Sequence, residues 1–277
     1  VTTGITFDGT AGAFTLNGNA ITNTGSILNQ SASTQTIGLN VTLGNSQIWQ
    51  TTGAGGLIVN GAVGLGANTL TTTAGAGAIT IAGAIGGTGG LIHTAGSLNL
   101  NGANNYSGTT AINGGTVTLG NPGALGTAVT GTSVAAGATL DLNGQNIGTE
   151  GLTLNGTGVG AAGALISSAG TATVGGTVAL GSATTVGGAG NTTITGAVSG
   201  GFDLTKIGTG TLSLSGTNSF NNLVVNVGQV SVSGGNAIAD TSSVTLAAAT
   251  ALNVGANETI ASVTGAGTVN LNAGTLT

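Results

Sequence analysis

The chain has no cysteine, no methionine, one proline and a single cation, Lys206, among its 277 residues. Without cysteine there is neither a disulfide framework nor a thiolate metal site. One lysine faces Asp8, Asp141, Glu150, Asp203, Asp240 and Glu258, for a net charge of −5. That balance excludes nucleic acid and anionic membranes as partners, because neutralising phosphates takes several cations on one surface. No apolar run approaches the ~18 residues of a spanning helix, so no membrane insertion is expected. Val1-Thr2-Thr3-Gly4 lacks the basic start of a signal peptide, so the chain is expected to be soluble and either processed or part of something longer.

Charged residues amount to 3%, against about a quarter in an ordinary soluble domain. The surface must then be made of Thr, Ser, Asn and backbone. Catalysis on such a surface would need convergent carboxylates. Asp141 reads as pointing outward between Leu140 and Leu142, Glu150 lies at a turn before Gly151, and Asp240 and Glu258 fall in loops. No catalytic residue is assigned, and no enzyme activity is expected. A lone histidine, His93, cannot build a metal site, so it reads as solvated or turn-bonded, and no metal or cofactor is expected. Asp203 and Lys206 read as a local surface ion pair worth under about 1 kcal/mol. Trp49, Phe7, Phe14, Phe202, Phe220 and Tyr106 are too dispersed for a sugar-stacking platform and are expected to plug the core or its corners.

What is present is glycine, 57 residues of it, and an apolar fraction of 39%. The supply of β-branched residues argues against the disorder that glycine-rich composition would otherwise suggest. Nearly every segment alternates apolar and polar residues and closes on Gly or Asn-Gly: Ala13-Phe14-Thr15-Leu16-Asn17-Gly18, Leu98-Asn99-Leu100-Asn101-Gly102, Thr139-Leu140-Asp141-Leu142-Asn143-Gly144, Leu212-Ser213-Leu214-Ser215-Gly216. Period two ended by turn residues predicts strands, and the chain is all-β.

Internal repetition separates a solenoid from a sandwich or barrel. Val59 to Gly66 matches Val174 to Gly181, Ile81 to Ile85 matches Ile194 to Val198, and Leu98 to Tyr106 matches Leu212 to Phe220. Two related long units, at about 57–120 and 172–234, thus lie within a single solenoid spanning 1–277. Inside them the strand-closing glycines recur from Gly102 to Gly120, Gly216 to Gly234 and Gly234 to Gly255, giving 18–21 residues per coil. That length suits a parallel β-helix of about thirteen coils, each stacked on the last at ~4.8 Å.

The run Leu204-Thr205-Lys206-Ile207-Gly208-Thr209-Gly210-Thr211-Leu212-Ser213-Leu214-Ser215-Gly216-Thr217-Asn218-Ser219-Phe220 resembles the autotransporter-associated β-strand repeat, also called the passenger-associated transport repeat. Leu91 to Leu119 is similar, with His93 where the family has lysine and a glycine pair one residue short near Ala95-Gly96. Phe220 is followed by Asn221-Asn222 rather than the usual glycine and threonines. The resemblance implies a right-handed β-helix exported through the outer membrane, hence a secreted, extracellular or cell-surface location.

The expected function is structural: a subunit or segment of an extracellular fibre or surface stalk, self-associating head to tail, with the cell surface or extracellular matrix as a further partner. Strand edges left open at a solenoid's ends invite such pairing. The residues expected to carry it are Thr2, Ile5, Phe7, Val269, Leu271 and Leu276. Two alternatives belong to the binding class: an adhesin passenger recognising host or surface ligands, and an ice-binding face built from Thr69-Leu70-Thr71, Thr116-Val117-Thr118 and Thr193-Ile194-Thr195.

Overall fold

The computed structural model describes all residues, 1–277. Apart from one tight helical turn at Val159–Ala161, the regular structure is strand, and the strands pair in parallel. The chain is a β-solenoid of about 13 turns with ~21 residues per coil. It forms two compact units, Val1–Ser133 and Val134–Thr277.

In the first unit, Ile5 lies opposite Ile27 and Ile27 opposite Trp49, a step of 22 residues. Leu57 to Ile79 keeps that step, and Ile79 to Leu98 to Val117 shortens it to 19. In the second unit the step runs from 28, Gly156 to Thr184, down to 17, Leu252 to Val269. The sequence interval of 18–21 therefore lies inside a wider range. Ladder register is fixed by backbone hydrogen bonds and by the buried rows, whereas corners can absorb extra residues at the surface. One irregularity falls within a repeat: Thr72 pairs with His93 but Thr73 with Ala95, so Thr94 is bulged out.

The alternation dictates the core. Leu57, Ile79, Leu98 and Val117 form one buried row in the first unit, and Val59, Ile81, Leu100 and Leu119 another. In the second unit Val174, Ile194, Leu214, Val232 and Val254 do the same, while the intervening Thr173, Thr193, Ser213, Ser231 and Asn253 face outward. Each fully buried aliphatic side chain contributes about 1.5–3 kcal/mol, repeated coil after coil. Glycine marks corners stacked too closely for a side chain. A Cβ on Gly77 would lie 2.1 Å from the carbonyl oxygen of Gly55 in the coil beneath.

Four of the six aromatic rings expected to plug the core do so: Trp49, Tyr106 and Phe220 are sealed, and Phe7 is buried. Phe14 and Phe202 are exposed instead. Phe14 stacks on Phe7 with ring centroids 6.3 Å apart, covering it from outside. The three Thr-x-Thr pairs do not build a threonine face. Thr71 is flanked by Ile48 and Ile92, Thr118 lies beside Asn99, and Thr193 stands between Thr173 and Ser213.

Candidate functional site

Several polar residues of the two repeats are drawn into the solenoid. Lys206 ends the strand Leu204–Lys206 on its inward side and is 2% exposed. Its ammonium donates to the carbonyl oxygens of Ile207 at 2.6 Å, Gly208 at 2.7 Å and Val227 at 3.4 Å. The expected ion pair with Asp203 is not formed, since the Asp203 carboxylate accepts the amides of Asn221 and Asn222. Strand alternation turns position 206 inward with Leu204, and the glycine corner offers carbonyls where no carboxylate reaches. Desolvation lowers the Lys206 pKa from 10.5 to about 8.

His93 holds the matching place in the first repeat and is buried rather than solvated. Nε2 donates to Gly96 O at 3.2 Å, which leaves Nδ1 to accept from the Thr72 hydroxyl at 2.9 Å. The turn-bonded half of the expectation is thus correct. Burial holds its pKa below the ordinary histidine value, opposed by the Gly96 carbonyl.

The asparagine of each Gly-x-Asn segment was not singled out in the sequence, yet it links three successive coils. Asn104 Oδ1 accepts the Ile85 amide at 2.8 Å while its Nδ2 donates to Ala124 O at 2.6 Å. Asn218 repeats both bonds, with Val198 N at 2.7 Å and Ala237 O at 2.7 Å. The signal that could have revealed them was their shared position after Gly102 and Gly216.

One carboxylate also corrects the sequence reading. Asp141 does not point into solvent; it is 6% exposed, and its Oδ1 accepts the amides of Asn143 and Ser168. Glu258 lies in a loop, as expected, and is buried there, accepting the amides of Ala237 and Ile238. Glu150, beside its turn, is buried as well. Asp141 and Glu258 serve backbone amides at separate corners.

The residues expected to carry assembly fall in two groups. Thr2 bridges Asn23 and donates its hydroxyl to Asn23 Oδ1 at 2.8 Å. Ile5 and Phe7 lie in the strand Ile5–Phe7, whose paired neighbour is Ile27–Asn29. Here Ile5 N donates to Ser26 O and Phe7 O accepts from Gln30 N, so the alternation of a parallel ladder turns the amide and carbonyl of Thr6 away from the coil. A hollow of about 260 Å³ lies alongside, lined by Thr6, Phe7, Asp8, Ala11, Phe14 and Leu16.

In the second unit, Val269 and Leu271 belong to Thr268–Leu271, which pairs with Ala251–Val254. Thr268 N and Asn272 N donate to Thr250 O and Val254 O, leaving the Val269 amide directed outward. Leu271 continues the buried row of Val254 and is 56% exposed. Leu276 is half-buried and bridges Glu258.

Comparison with curated proteins and with solved structures gives no match. The family model described as the passenger-associated-transport-repeat matches residues 95–119 and 204–235. Those spans hold the Asn104 and Asn218 bridges and the buried Lys206. The chain carries two passenger-associated-transport-repeats, and these together with its parallel β-solenoid fold fit an autotransporter passenger-like domain.

Proposed function

We propose that the chain is a non-catalytic structural protein of the secreted, surface-exposed passenger type, in which the solenoid is itself the product and joins further copies end to end into a stalk or fibre. The observation that carries this reading is a parallel β-solenoid bearing two matches to the passenger-associated-transport-repeat, and its first and last strands offer a means of joining. Thr6 and Val269 direct backbone groups away from their coils, beside Phe14 and Leu271, which are 53% and 56% exposed. A strand edge of that kind is completed by another strand, either a further coil of a longer chain or the end of a second copy. A net charge of −5 spread over 277 residues sets little repulsion against the approach of a second copy. A head-to-tail contact does not close on itself, so it propagates.

The test is electron microscopy and sedimentation of the purified chain beside a variant carrying Thr6→Pro and Val269→Pro. Proline removes the outward donor at each joint while leaving the bonds to the neighbouring coil in place. The wild-type chain is expected to form thin fibres whose yield is insensitive to salt, and the variant to remain monomeric with unchanged circular dichroism. Monomeric wild type, or unchanged fibres from the variant, would overturn end-to-end joining through these strands.

A further inference from the structure

The two asparagine bridges define a position with two duties, accepting from the coil before and donating to the coil after. Asn104 takes the Ile85 amide and gives to Ala124 O; Asn218 takes the Val198 amide and gives to Ala237 O. Backbone bonds set the register of each. Asn104 N donates to Gly123 O and Asn218 N to Asn236 O, in each case one residue before the carbonyl that the side chain reaches.

Glu258 occupies this position once more. Its carboxylate accepts Ile238 N at 2.8 Å and Ala237 N at 3.2 Å from the coil before, and its own amide donates to Thr275 O at 2.9 Å. One residue beyond Thr275 stands Leu276, which bridges Glu258. The carbonyl that an asparagine here would reach is therefore that of Leu276. An ionised carboxylate has acceptors only and cannot donate to it; a carboxylic acid has one O–H to give.

We propose that Glu258 is a proton-operated clasp: protonated, it donates to the Leu276 carbonyl as Asn104 and Asn218 donate to theirs, and closes the Thr275–Thr277 segment onto Glu258–Ile260. Ionised, it holds the Gly234–Ser242 turn from one side and leaves that segment with its three backbone bonds, Glu258 N to Thr275 O, Thr277 N to Glu258 O and Ile260 N to Thr277 O. Burial raises the Glu258 pKa, opposed by the amides of Ile238 and Ala237 and assisted by the negative charge of Asp240. This device goes beyond end-to-end joining and stands whether or not fibres form.

The experiment is amide hydrogen exchange of the purified chain across pH 4–8, expressed as protection factors so that the intrinsic pH dependence of exchange cancels. Wild type is expected to protect the Thr277 and Glu258 amides about tenfold more strongly at the acidic end. Glu258→Gln, with a permanent donor, is expected to hold that higher protection at every pH, and Glu258→Ala to hold low protection throughout if it folds. A pH dependence that survives in Glu258→Gln would overturn the proposal. So would wild-type protection that is flat with pH, or Glu258→Gln protected no better than ionised wild type.

Discussion

Lys206 and Asp203 stand three residues apart in the second repeat and do not pair. The ammonium is turned inward onto the carbonyls of Ile207 and Gly208, and the carboxylate is held by Asn221 and Asn222. A cation neutralised only by carbonyl dipoles is poorly compensated for its lost hydration.

The pH dependence that follows has a definite sign. Unfolded, Lys206 keeps its proton up to about pH 10.5; folded, it releases it near pH 8. Between those values the unfolded chain binds more protons, so stability rises with pH. Urea melts of the wild type are expected to show a gain from pH 8 to 10.5, and Lys206→Met to show none. A surface ion pair would give the reverse trend, losing stability as the ammonium deprotonates.

The asparagine bridge gives a second test. Asn218→Ala removes an acceptor for Val198 N and a donor for Ala237 O, both buried, at a cost of about 2–4 kcal/mol that does not vary with pH. Asn218→Asp keeps the acceptor but sets a carboxylate oxygen against Ala237 O. The folded variant then favours the protonated acid, so it is expected to be the less stable of the two at pH 7 and to recover part of the loss by pH 4. Melting temperatures of both variants at the two pH values check this.

The inward and outward faces of one strand are separated by a third test. Leu214 is sealed between Ile194 and Val232, whereas Ser213 next to it faces outward. Leu214→Asp buries an unpaired carboxylate and is expected to cost about 4 kcal/mol or more, and Ser213→Asp less than about 1 kcal/mol. Equal denaturation midpoints for the two variants would contradict the alternation.

The strands, their inward rows and their stacking into repeated coils are all legible in the amino-acid order. That information is local and redundant: Leu98 and Leu100 alternate with polar residues just as Leu212 and Leu214 do, and each coil restates the pattern. Coil length was legible only as an interval, since steps of 17 and 26 residues satisfy the same ladder when corners take up the difference. The fate of the few polar and charged side chains depends instead on how the coils stack. Asp141, His93, Lys206 and Glu258 read as surface or loop residues because such groups are normally solvated. Each is instead buried against backbone amides, carbonyls or a hydroxyl. Several of those partners belong to a neighbouring coil: Ser168 for Asp141, Thr72 for His93, Val227 for Lys206, and Ala237 and Ile238 for Glu258. They come within reach only once the coils have stacked, and no local pattern along the chain encodes that proximity.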